Sequence, residues 1–335
     1  MTTLRWRAAR LLEHSAARAL VPLLCVLLLG ALFHADGAFF DWQAHRSMLR
    51  EISVVGILAC GMTLVIVTAG IDLSVGSLVG LCAVCVALFT MPLGLPDGVG
   101  VLAVLALGAA AGATCGALVA YPRLQPFIVT LAMMVFARGL AKWLAGGQKV
   151  TRSFRGPDGD FVTVPSPRLF EAIDTRVLGD NVSVVTLIFL GCAFGCWLVL
   201  SRMRIGRYLY AVGGNFEAAR LSGVPVRSTL VFAYALCGLL AAVAGICQAA
   251  QETHGDPETG MGYELDAIAM VVLGGTSLAG GRGGVGLTLI GALTLGYLQK
   301  TLSLNAYSTE ARLMLTGAIL IAAVLFQRRL ARRAA

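Results

Sequence analysis

Long apolar runs separated by short polar turns recur along the chain from Ala19 to Phe326. They predict about ten membrane-spanning helices, at 18–35, 51–69, 74–91, 98–120, 126–145, 182–201, 229–250, 263–280, 284–300 and 311–327. A helix perpendicular to the bilayer needs ~20 residues, so 74–91, 263–280 and 284–300 are expected to be tilted, broken or re-entrant. One interruption stands out. Val67 to Gly80 reads V-T-A-G-I-D-L-S-V-G-S-L-V-G, an aspartate between two apolar runs. A carboxylate there is expensive in lipid and calls for a reason. A second break, Gly274 to Gly281, joins 263–280 to 284–300. The two breaks are expected to be corresponding parts of an internal duplication.

Composition agrees with the pattern. Of 335 residues 58% are hydrophobic and 13% charged, with a mean hydropathy of +0.82. A soluble domain carries roughly 25% charge, so a soluble globule is excluded and the fold class is an all-α integral membrane protein. The net charge of +8 sorts by side of the membrane and calls for no nucleic acid. Fifteen arginines fall on the side of the two termini, eight basic residues fall opposite, and Arg138, Lys142 and Arg312 lie within spans. The positive-inside rule then makes both termini cytoplasmic. It divides the chain into a cytoplasmic segment 1–17, a transmembrane domain 18–327 and a basic cytoplasmic tail 328–335. The loop 146–181 is external, and its five basic and five acidic residues cancel. The loop 202–228 is internal, with five arginines against the single acid Glu217. Arg5, Arg7, Arg10 and Arg18 precede an apolar run longer than a signal peptide requires, which predicts an uncleaved first helix.

Several familiar chemistries are excluded. The nine cysteines all lie in apolar segments, so they form no disulfide framework, and Cys82 and Cys85 read as helix packing. The four histidines do not pair at metal-ligand spacing, and no nucleophile–base–metal constellation is present, so neither a metal site nor a catalytic residue is expected. Gly281-Arg-Gly283-Gly-Val-Gly286 matches a dinucleotide fingerprint but lacks the strand and distant acid that give it meaning. No G-x-x-x-x-G-K-[ST] loop occurs, so this chain does not bind ATP by a P-loop. Gly108, Gly112 and Gly116 make two overlapping G-x-x-x-G steps, which predict close helix packing.

The internal loop is the strongest functional signal. Residues 206–226 read G-R-Y-L-Y-A-V-G-G-N-F-E-A-A-R-L-S-G-V-P-V. Gly206 opens the stretch, Gly213 and Gly214 favour a turn, Asn215 is a helix cap, and Phe216–Leu221 is a short helix ended by Gly223. That helix, which includes Ala218 and Ala219, would offer Glu217 and Arg220 on the cytoplasmic face. A solvated connector is the plainer alternative, but a loop this long among tight turns points to function.

This loop resembles the cytoplasmic coupling segment of ABC importer permeases, and its wording is similar to the monosaccharide branch, the ribose, arabinose, xylose and galactofuranose permeases. Gly61–Gly76, Gln125–Gly139 and Glu264–Gly281 resemble the same branch, in order, from about residue 50 to 325. The second and third of these stretches resemble the galactofuranose type most. The resemblance implies a permease subunit in the bacterial inner membrane, dimeric with a second copy or a paralogue. It also implies a cytoplasmic ATPase partner carrying ATP and magnesium, and a periplasmic sugar-binding protein. The function so implied is ATP-driven import of a monosaccharide by alternating access. A branched-chain amino acid permease is the related alternative, and an ion-driven secondary transporter is the more distant one.

The polar residues within spans supply a translocation path on this reading: Gln125, Arg138, Glu264, Asp266 and Asn305. Arg138 is expected either to pair or snorkel, or to touch sugar, and Glu264 and Asp266 either to face the path or to cap their own helix. Gly70, Asp72, Ser74 and Gly76 form a cap or hinge. The arginine distribution puts Asp72 at the cytoplasmic edge, where water is near. There it either caps the span beginning at Val75 or acts as a gate, the cap taking precedence.

Overall fold

The computed structural model describes residues 15–155, 158, 160–308, 310–311, 314–318 and 321. The basic segments 1–14 and 328–335 lie outside the described residues, as does most of the predicted span 311–327.

The helices in chain order are α1 (Ser15–Leu32), α2 (Trp42–Val67), α3 (Val75–Thr90), α4 (Asp97–Ala120) and α5 (Pro126–Leu144). A longer connection carries α6 (Arg168–Asp174) to α7 (Val184–Arg202), and the internal loop contains α8 (Arg204–Gly214) and α9 (Phe216–Leu221). The chain continues as α10 (Val226–Glu252), α11 (Tyr263–Leu273) and α12 (Val285–Leu304). Five of these helices, α2, α4, α5, α7 and α10, are long and apolar enough to cross a membrane. Among the described residues the helices are accompanied by two small antiparallel ribbons, in and just after the 146–181 connection. Ser153–Arg155 pairs with Phe161–Thr163, and Arg176–Val177 pairs with Val182–Ser183.

Burial separates the helices by role. The most apolar stretch of α2 is 89% buried, against 22% for that of α5, so α2 is core and α5 rim. Helix α10 packs on α2, α3 and α4. Between α4 and α10 the glycine steps bring backbones into contact: a Cβ on Gly112 would strike the Tyr234 carbonyl, and one on Gly238 would strike that of Gly108. Buried hydroxyls join helices where lipid offers no water. Thr63 and Thr288 are 2.7 Å apart between α2 and α12, and Ser53 donates to Thr186 over 3.1 Å between α2 and α7. Each such bond contributes on the order of 0.6–2 kcal/mol.

One predicted span is corrected, and a second is broken as expected. The helix expected at 51–69 begins at Trp42, because Asp41 accepts from the Gln43 amide and starts it earlier. Its outer turns carry charge that finds partners in the connection: Arg50 pairs with Asp174, and Arg46 donates to the Asp180 carbonyl over 2.6 Å. The helix within 263–280 stops at Leu273. Its 11 residues rise only ~16 Å, about half the hydrocarbon core, so α11 does not cross it.

Candidate coupling and translocation site

In the internal loop, Asn215 accepts from the Ala218 amide over 2.9 Å and opens α9, while Gly223, at φ 79°, ends it in the left-handed region. Glu217 and Arg220 are exposed and bond each other over 2.8 Å. The preceding stretch, where the glycines predict a turn, forms the amphipathic helix α8. Gly206 and Gly213 are buried in it, and Gly214 is exposed.

Gly213 is the point at which this loop enters the protein. A Cβ there would collide with the Val67 carbonyl oxygen at the end of α2 and lie 2.8 Å from the Gly281 amide. That amide donates to the same Val67 oxygen over 2.9 Å. The two breaks, 68–74 and 274–284, are therefore bonded together, and the internal loop is seated on the bond. Gly280 and Gly281, at φ 81° and 70°, make the turn that lets the second break reach Val67. A cavity of about 350 Å³ adjoins, lined by Thr68, Gly70, Arg123, Phe216, Glu217 and Tyr234 among others.

From Val67 the first break turns inward, and Asp72 is wholly buried instead of lying at a watery edge. It lies beside Cys237, eleven residues into α10 from Val226 and so ~16 Å along its axis. Its Oδ1 accepts from the Ser74 amide over 2.9 Å and from the Ser74 hydroxyl over 2.6 Å. Asp72 therefore holds the residue before α3, while the amides from Val75 onward receive no side-chain cap. The Tyr234 hydroxyl nearby is buried without a hydrogen-bond partner among the described residues.

Helix α3 begins deep in the protein, and so does α11. A Cβ on Gly76, in the first turn of α3, would strike both the Gly260 carbonyl and the Glu264 carboxylate. From this shared point α3 climbs past Gly255, which packs on Ala83 and Val84, while α11 runs the other way to the break held at Val67. Two short helices thus meet at their positive ends, and the Glu264 carboxylate beside α3 suits that field. Sequence reading offered Glu264 as a cap of its own helix or a path residue; here it faces the neighbouring one. Arg138 completes the junction. Its guanidinium donates to the carbonyls of Pro257 (2.5 Å), Thr259 (2.8 Å) and Gly76 (3.3 Å), three main-chain partners instead of a side-chain carboxylate.

The remaining path residues are not brought together with these. Gln125 is exposed at the start of α5. Asn305 donates to the carbonyls of Phe33 and Thr301, tying α12 to α1. Asp266 faces a separate cavity beside Gln299. Val67, Tyr234 and Gly260 were missed; Gly281 stood inside a recognised glycine stretch, but nothing in its spelling names Val67 as its partner.

Outside the spans, Lys149 pairs with Asp256 over 3.0 Å. Burial acts to raise the Asp256 carboxyl, but the Glu258 amide and the Lys149 ammonium outweigh it and hold the group below its ordinary value. The Val150–Gly255 bridge fastens the same two segments.

Residues 46–324 match the family described as branched-chain amino acid transport system / permease component. The chain is 42% identical to the ribose import permease protein RbsC of Escherichia coli (strain K12), over 86% of each chain. It is 37% identical to the protein of that name from Bacillus subtilis (strain 168), over 84% of each. It is 32% identical to the xylose transport system permease protein XylH of Escherichia coli (strain K12), over 91% of this chain and 90% of that one. No solved structure matches. The chain belongs to the branched-chain amino acid transport system / permease component family, and it is a membrane transport subunit, not an enzyme.

Proposed function

We propose that this member of the family is the membrane-spanning subunit of an ATP-driven importer of a monosaccharide, a pentose such as ribose or xylose, in the bacterial inner membrane. The relatives named for ribose and xylose support the sugar over a branched-chain amino acid. About ten membrane helices, of which α11 reaches only about half-way, with both termini cytoplasmic, together with a second permease subunit, a cytoplasmic ATPase carrying ATP and magnesium, and a periplasmic sugar-binding protein, complete the assembly.

The observation that carries this reading is the seating of Gly213 on the Val67–Gly281 bond. A loop that only connected α7 to α10 would not need its backbone packed onto both interior breaks. When the ATPase closes on ATP, α9 moves with it, and α8 transmits the displacement through Gly213 to the ends of α2 and α11. The short helices that meet at Gly76 then change their angle, and access passes from one face to the other.

The test is reconstitution in proteoliposomes with the partner ATPase and binding protein. ATP-dependent accumulation of ribose or xylose is expected. Accumulation of leucine with no sugar uptake would overturn the sugar assignment, and uptake driven by an ion gradient without ATP would overturn the class.

A further inference from the structure

A cavity of about 410 Å³ lies between α2, α11 and α12, away from the coupling junction. Its polar lining is Ser47 and Glu51 of α2, Asp266 of α11, Gln299, Lys300 and Ser303 of α12, and Thr316 beyond it. Met48, Ile52 and Leu304 add an apolar wall. Sequence reading named only Asp266 of these.

We propose that this cavity is the station at which the transported monosaccharide rests during passage, with Glu51, Asp266 and Gln299 as its hydrogen-bonding rim. The proposal deepens the importer reading and rests on it. Glu51 is exposed toward the outer part of α2, but Asp266 and Gln299 are partly buried, and packing alone does not account for a carboxylate and an amide facing an open volume. The volume falls within the range of small-molecule sites. The lining also fits one chemistry best. A sugar is neutral, rich in hydroxyl donors, and apolar on one face. Glu51 and Asp266 accept from hydroxyls, Gln299 both donates and accepts, and Met48 and Ile52 receive the ring face. A zwitterionic amino acid would need a free cation for its carboxylate. Lys300 is the cation at the wall, but it is only 7% exposed, donates to the Phe39 carbonyl over 2.9 Å, and lies 4.7 Å from the centre of the Phe39 ring. It is committed to holding the turn before α2. The remaining formal charge of the lining is negative, which favours donors over anions. Among the described residues no group of His, Cys, Asp and Glu is arranged to hold a metal ion.

The test uses the complete importer in proteoliposomes, after wild-type uptake of ribose or xylose has been shown. If the wild type moves neither sugar, the importer reading fails and this proposal falls with it. Given uptake, Glu51→Ala and Gln299→Ala are each expected to raise the KM for sugar roughly tenfold, the loss of about one hydrogen bond. ATP hydrolysis stimulated by the loaded binding protein should persist, and Glu51→Gln should recover part of the loss. Unchanged uptake in both alanine variants, or stimulated hydrolysis lost in step with uptake, would overturn the site. Should an alanine variant fail to assemble, Ser47→Cys in the same complex keeps the question open to measurement. A small methanethiosulfonate is expected to label the introduced thiol more slowly during turnover with ribose than with leucine, the wild-type chain serving as the background. Equal labelling rates would overturn the proposal.

Discussion

The amide of Gly281 donates to the carbonyl of Val67 over 2.9 Å, joining the break after α2 to the break after α11. Gly213 of the internal loop lies on the same oxygen with no room for a side chain.

Gly213→Ala should therefore uncouple the importer. The added methyl must push α8 off Val67, an overpacking strain of about 1–3 kcal/mol. Membrane insertion should persist while ATP-driven uptake falls sharply. Gly214→Ala is the control, since nothing lies near its Cβ position. Equal uptake by the two variants would argue against transmission through Gly213.

Glu217 and Arg220 bond each other on the exposed face of α9, a pair contributing only ~0.2–0.5 kcal/mol. Charge reversal at either should barely change melting in detergent, yet should separate ATP hydrolysis from uptake. The double swap Glu217→Arg with Arg220→Glu restores an ion pair within the helix. If it also restores uptake, the two residues serve the helix alone and the docking role fails.

Arg138 satisfies three main-chain carbonyls at the meeting point of α3 and α11. Arg138→Gln should destabilise the protein by about 1–3 kcal/mol, the desolvation penalty of groups left unpaired. Arg138→Lys should recover only part of this, because an ammonium cannot span three carbonyls as a planar guanidinium does. Melting in detergent decides the order, and a lysine variant less stable than the glutamine one would contradict it.

The Lys149–Asp256 pair carries a pH signature. Because the folded protein holds the Asp256 carboxyl below its ordinary value, the pair's contribution is complete above the unfolded carboxylate pKa, about 3.9. It is lost as pH falls through the lower, folded value. Asp256→Asn should therefore lower the melting temperature slightly at neutral pH, and the difference should vanish under strong acid. A difference that grew with acidity would have the wrong sign.

The amino-acid sequence determined the class and the local devices. Apolar run lengths placed most helices within a few residues, since lipid selects for hydropathy along the chain itself. The Asn215 cap and the Gly223 stop were legible because capping is a contact between near neighbours. Depth and partnership were decided only by the tertiary structure. Asp72 was read as an edge residue because counting arginines assigns a turn to a side of the membrane and says nothing about a chain that turns back inside. Arg138 was weighed against carboxylates because only side chains are spelled in sequence, whereas its partners are backbone carbonyls that every residue possesses. The Val67–Gly281 bond, and the cavity that sets Glu51 beside Asp266 and Gln299, bring α2 against segments more than two hundred residues away. Their meeting follows from how α2, α11 and α12 pack, a relation that no local pattern contains.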